Sequence, residues 1–202
     1  MDKRTSPPPS FAEGNLRFQS NTFGPNAEAF HELTKGQEPR ALYVGCSDSR
    51  VVPNLILDMA PGELFVTRNI GAIVPPPDDP ASANTGAVLD YALGVLGVPD
   101  IIVCGHDLCG ALQAIRSGKA PPGSHIERWL RKGAKSIEDE DLLSDARYVE
   151  IERLVEQFVL AQMRNLSLYA AVKSAGASVT MHGTVYDPHS GRMRVYDPHE
   201  RV

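Results

Sequence analysis

The sequence predicts an α/β fold: a central, mostly parallel β-sheet flanked by helices, with N-terminal helical arms and a C-terminal β-hairpin. Three observations predict it. The short apolar runs ALYVG (41–45), ELFVTRN (63–69) and DIIVCG (100–105) have the length and composition of buried strands. Helical patterns accompany them, at TGAVLDYALGVLG (85–97) and over residues 145–172. Near the end of the chain, SVTMHGTVYDP and RMRVYDP flank the turn HSGR, which reads as a hairpin.

Taken in order, residues 1–9 read as a disordered tail, because three consecutive prolines cannot open a helix together. Ser10 with Glu13 three residues later forms a capping-box pattern, so a helix is expected through FAEGNLRFQS. A second helix is expected over 26–34. Their apolar side chains (Phe11, Leu16, Phe18; Phe30, Leu33) precede the main sheet, as in arms that pack on a second subunit. PPPDDP (75–80) and APPGS (120–124) are breaks. In the long pattern 145–172, Leu154, Phe158, Ala161 and Leu168 fall near one stripe. VYDPH occurs at 185–189 and 195–199, and two copies make similar strand ends rather than a solenoid.

Composition narrows the function classes. The chain has 202 residues, enough for one domain with a sizeable core. A net charge of −5 without a long basic run argues against a nucleic-acid partner. Three cysteines, at 46, 104 and 109, do not make a disulfide framework and point to a reducing, cytoplasmic setting. No apolar stretch suggests a secretory signal or a membrane span.

The chemistry concentrates in GHDLCG (105–110) and CSDSR (46–50). His106 and Cys109 follow one predicted strand and Cys46 follows another. In a parallel sheet both groups emerge at carboxyl ends, where α/β proteins gather their sites. Two thiolates and an imidazole suit Zn²⁺, and three protein ligands leave a fourth position open for acidified water. If 46–50 stays extended, residues 46, 48 and 50 share a face. Asp48 then lies beside the metal, with Arg50 keeping it ionised as an acceptor. The chemical alternative is a closed structural site with Asp48 as fourth ligand, which would suit a zinc-responsive binding protein. Cys104 reads as a small core residue. His31, His125, His182, His189 and His199 read as surface or packing residues, Trp129 as helix packing, and Arg68 and Asn69 as loop braces. Gly71 reads as serving a tight turn.

The blocks GNLRF (14–18), GQEPRALYVGCSDSRVVPNLI (36–56), PGELFVTRNIGAIVPP (61–76), TGAVLDYALGVLGV (85–98) and IIVCGHDLCGAL (101–112), in this order, resemble the β-class carbonic anhydrases. The resemblance is close over residues 10–118. It implies one zinc-dependent domain over 10–202 that hydrates CO₂ reversibly to bicarbonate and a proton by attack of zinc-bound hydroxide. A CS₂ or COS hydrolase on the same scaffold is the enzymatic rival. The resemblance implies Cys46, His106 and Cys109 as zinc ligands and Asp48 with Arg50 as the catalytic dyad. It places Gln37, Phe65, Ile70 and Tyr91 in the substrate pocket, and implies a homodimer, or a tetramer. The set resembles the plant-like, open-site branch, because the regulatory tryptophan position of the other branch holds Tyr43, beside Arg68 and Tyr186. Two positions depart from the family pattern. Asp107 stands where many members carry Ser or Thr, and would add negative charge or cap the next helix. Val95 stands where plant members often carry a shuttling histidine.

Overall fold

Ser10 opens the first helix, α1 (Phe11–Phe18): its hydroxyl accepts from the Glu13 N–H at 3.1 Å while the Glu13 carboxylate accepts from the Ser10 N–H at 3.2 Å. The predicted capping box is therefore present. The computed structural model describes residues 10–138 and 151–196. The expected tail at 1–9 lies outside the described residues, as do 145–150 of the long helical pattern and the end of the second VYDPH. The chain forms two units, divided between Gln37 and Glu38.

The first unit continues from α1 through a wide turn, Gln19–Phe23, into α2 (Ala27–Glu32). Phe18, Phe23 and Phe30 hold it together, with Phe23 and Phe30 stacked at 5.1 Å and Phe18 edge-on to Phe30 at 5.7 Å. Phe11 is almost wholly exposed.

The second unit is built on five strands: β1 (Ala41–Cys46), β2 (Leu64–Asn69), β3 (Asp100–His106), β4 (Thr180–Tyr186) and β5 (Met193–Tyr196). Their order is β2-β1-β3-β4-β5, parallel except for β5, which returns antiparallel beside β4 as the predicted hairpin. Every residue of β1 is buried, as a continuous apolar run with sheet on both sides requires. The helices are α3 (Pro53–Ile56), α4 (Ala83–Leu89), α5 (Gly110–Ser117), α6 (His125–Glu138), α7 (Ile151–Ser167) and α8 (Ala170–Ala175). The segment predicted as one helix over 85–97 runs as α4 followed by a wider turn, Asp90–Val95.

α7 packs on β3 and β4 with Leu154, Val155, Phe158 and Val159 fully buried, each contributing about 1.5–3 kcal/mol. The approach is close: a methyl on Gly105 would lie 2.7 Å from Val159 Cγ2. The long pattern is not one helix. α7 ends at Ser167, and Leu168, expected on the buried stripe, is half exposed. The break turns Tyr169 inward, where its hydroxyl donates to the Pro75 carbonyl. Gln162 and Asn165 serve the same extended segment, accepting from the Val74 N–H and donating to the Val74 carbonyl at 2.8 Å each. These polar side chains satisfy backbone that no strand pairs. Among the described residues no helix is long and apolar enough to cross a membrane.

Candidate metal centre

Cys46 is the last residue of β1 and His106 the last of β3; because Gly45 pairs with Cys104, the two emerge side by side at the carboxyl edge of the sheet. The chain then doubles back through Leu108, at φ +61°, and starts α5 behind Cys109. The Sγ atoms and the imidazole come within 4.8 Å of one another, all three residues buried.

The donor set fits zinc. His106 Nδ1 lies 2.9 Å from the Asp107 carbonyl oxygen, so an N–H there leaves Nε2 as a lone pair. That Nε2 is buried and has no hydrogen-bond partner, an arrangement unfavourable for a polar atom unless something else fills the position. The Cys109 thiol and then His106, with the Gly71 N–H at 3.4 Å, hold the Cys46 thiol well below the usual thiol range against the opposing effect of burial. The same pair pushes Cys109 the other way, chiefly because its proton bonds Cys46 and also because it is buried. Burial works against protonated His106, but the Cys46 thiolate, the Asp107 carbonyl and Asp48 together outweigh it and raise the imidazole. Three soft donors thus compete for protons that a tetrahedral cation would replace.

The expected extended run over 46–50 does not form. The β1 ladder ends with the Ser47 N–H on the Asn69 carbonyl, and the chain turns, Val51 N–H donating to the Asp48 carbonyl at 3.0 Å. Asp48 makes this turn itself, its Oδ1 accepting the Arg50 N–H at 3.0 Å, the habit of an aspartate freed from a strand. The turn still delivers the expected pair: Arg50 Nε and Nη2 meet the two Asp48 oxygens at 2.9 and 2.7 Å. That fork holds Asp48 well below the usual carboxylate range. Asp48 Oδ2 stands 3.9 Å from His106 Nε2. Arg50 Nη2 also reaches the Leu108 carbonyl at 3.1 Å, tying both loops together. Arg68 braces the first loop, donating to the Cys46 and Asp48 carbonyls at 2.7 Å each. Asn69 braces the next, exchanging bonds with the Ile73 backbone at 2.8 and 2.9 Å.

The residues expected in the substrate pocket lie in different places. Ile70 is half exposed beside Gly71, whose N–H reaches Cys46. Phe65 and Tyr91 stack on each other at 5.6 Å. Phe65 pairs with Leu42, four positions before Cys46, about 13 Å along a strand rising about 3.3 Å per residue. Gln37 belongs to the first unit. Tyr43 is fully buried with no partner for its hydroxyl, and Cys104 is a buried strand residue outside the metal-capable group. Val95 is exposed. His182, part-exposed, pairs with Asp100 at 2.7 Å.

Asp107 neither caps α5, which has no side-chain cap, nor stands as unbalanced charge. Both its oxygens meet Arg194 of β5 at 2.9 Å, and its N–H donates to the Tyr186 carbonyl. Sequence spacing carries no signal for Arg194, because only the sheet order brings β5 near this loop.

A parallel sheet that gathers two thiols and an imidazole at its carboxyl edge, with an arginine-held carboxylate beside them, defines a zinc enzyme of the α/β class. The carbonic anhydrase family model matches residues 41–193. A carbonic anhydrase of Pseudomonas aeruginosa is 39% identical over 194 residues, covering 92% of this chain and 86% of that protein. The structure of the β-carbonic anhydrase CcaA superposes with a TM-score of 0.84 at 34% identity, covering 93% of this chain and 86% of that one. One of two tetrameric β-carbonic anhydrases from Sordaria macrospora superposes with a TM-score of 0.79 at 31% identity, covering 91% and 93%. The chain belongs to the β-class carbonic anhydrases. Its reaction is the reversible hydration of CO₂ to bicarbonate and a proton, with zinc as the cofactor.

Proposed function

We propose that Cys46, His106 and Cys109 hold the zinc, that Asp48 and Arg50 are the catalytic dyad, and that the site is of the open, plant-like kind. The observation that carries this reading is the buried, partnerless Nε2 of His106 facing two thiols, with an Arg50-held carboxylate oxygen 3.9 Å away. Bound zinc supplies a Lewis acid that acidifies water near neutral pH. Asp48 accepts a hydrogen bond from the nucleophile and so aims its lone pair at the CO₂ carbon. Arg50 holds that carboxylate ionised and turned to the site through both of its oxygens, which keeps Asp48 from serving as a fourth ligand. Gln37 donates to bicarbonate, and the apolar surfaces of Phe65, Ile70 and Tyr91 keep bulk water from the linear substrate.

Residues 10–202 act as one zinc-dependent domain in a homodimer, or in a tetramer, in the cytoplasm. Three features support the assembly. The Phe65–Tyr91 pair is set back from its own chain's metal residues, Phe11 is exposed on the first helix, and the Sordaria relatives are tetrameric. The three free cysteines support a reducing compartment.

Stopped-flow CO₂ hydration by the zinc-loaded chain tests the mechanism. Asp48→Asn is expected to keep one zinc per chain and lose most turnover, and Cys46→Ala to lose the metal. Normal turnover in Asp48→Asn would remove the dyad, and activity on CS₂ with none on CO₂ would overturn the substrate. Light scattering of the purified chain tests the assembly: a monomer at micromolar concentration would end the dimer reading.

A further inference from the structure

Trp129, the single tryptophan, lies on α6. Its indole Nε1 donates to the Ile70 carbonyl at 2.7 Å. That carbonyl shares one peptide unit with the Gly71 N–H, which donates to Cys46 Sγ at 3.4 Å. A peptide unit is planar, so holding its oxygen at one end orients its hydrogen at the other. A bond accepted at the oxygen also polarises the unit and strengthens the N–H as a donor. The turn that carries this peptide is otherwise under strain: Gly71 has φ +81° and the non-glycine Ala72 has φ +55°. Asn69 brackets it from Asn69 to Ile73 through the Ile73 backbone, and makes neither of those bonds to the Ile70–Gly71 peptide. α6 is itself fixed, by packing on α5 and α7 and by Lys132, whose Nζ meets both Asp79 oxygens at 2.6 Å.

We propose that Trp129 is a positioning residue for the metal centre: through the Ile70–Gly71 peptide it aims an N–H at the Cys46 sulfur and sets how strongly that sulfur donates to zinc. The proposal rests on Cys46 serving as a zinc ligand. An N–H directed at a thiolate withdraws electron density from it, so Trp129 moderates the donation from Cys46 and steadies the sulfur in one direction.

The test replaces Trp129 in the full chain by benzothienylalanine, which keeps the shape and lacks the N–H, and separately by Phe. Chelator competition is expected to show zinc held about 3- to 10-fold more weakly in both, because losing the fixed direction of the sulfur outweighs the gain in its donation; that is less than the roughly 10- to 100-fold typical of a group bonded directly to a ligand. In the cobalt(II)-loaded protein the sulfur-to-metal charge-transfer band is expected to move to longer wavelength, because a less restrained sulfur gives up electron density more easily. Zinc affinity and a cobalt band both equal to wild type in the benzothienyl variant would overturn the proposal, whatever its melting temperature, since packing alone would then explain Trp129. Cys46→Ala is carried alongside. If it retains one zinc per chain, the ligand assignment fails and the role of Trp129 falls with it; if it loses the metal, the Trp129 variants alone decide that role.

Discussion

Replacing Asp107 by asparagine removes one half of the ion pair that ties the loop behind His106 to β5. Asp107 is 7% exposed, and Arg194 meets both of its oxygens at 2.9 Å while Arg194 Nε also reaches the Tyr196 hydroxyl at 2.9 Å. Breaking a fully buried pair costs about 3–5 kcal/mol, whereas an exposed pair contributes about 0.2–1. The Arg194 side chain is 38% exposed, so solvent screens it and the figure falls between these limits. We expect about 2 kcal/mol for Asp107→Asn. At about 2–4 °C per kcal/mol for a chain of this size, the melting temperature should fall by about 4–8 °C. Arg194→Met should lose somewhat more, because it strands a carboxylate among buried groups. Urea unfolding of both single variants and the double variant gives the coupling energy, expected near 1.5 kcal/mol with an unchanged denaturant slope. A coupling below about 0.3 kcal/mol would mean that the two side chains act independently, and the clamp would be refuted.

Gly71→Ala should lose about 1–3 kcal/mol, since alanine is strained at φ +81° and its Cβ would lie 3.0 Å from that of Ala111; unchanged thermal stability would show that the turn can rearrange freely. Gln162→Leu leaves the buried Val74 N–H unpaired and should destabilise by about 1–3 kcal/mol in urea, with a neutral result meaning that another acceptor moves in. Lys132, followed by the Ala81 N–H, lowers the Asp79 pKa against the effect of burial. A carboxyl depressed in the folded state stabilises above its unfolded value, about 3.9, and loses that contribution as pH falls through the folded value. The stability gap between wild type and Lys132→Met should therefore be full at pH 6 and shrink below pH 4; a gap constant across that range would exclude the pair as its source.

Periodicity located elements well where burial is uniform. β1 and β3 were legible as apolar runs because a strand with sheet on both sides has no polar face to interrupt it. It failed where polar side chains serve distant backbone. Leu168 fits the helical stripe, yet the helix stops before it because Tyr169 turns to the Pro75 carbonyl, a partner far away in sequence. The turn at Asp48 was missed for a related reason: alternation holds only while a ladder continues, and the ladder ends at Ser47.

The sequence by itself determined the chemistry: two sulfurs and an imidazole behind separate strands, with an aspartate and an arginine placed to attend them. The donor atoms available to a metal follow from the side chains, and those are written in the chain. Only the tertiary structure decided what holds these groups in place. The reach of Arg50 to the Leu108 carbonyl, the grip of Arg194 on Asp107, and the line from Trp129 through one peptide to Cys46 all join segments remote in sequence. Such contacts depend on strand order and helix placement, which arise from packing the whole chain at once, and local spacing carries no record of them.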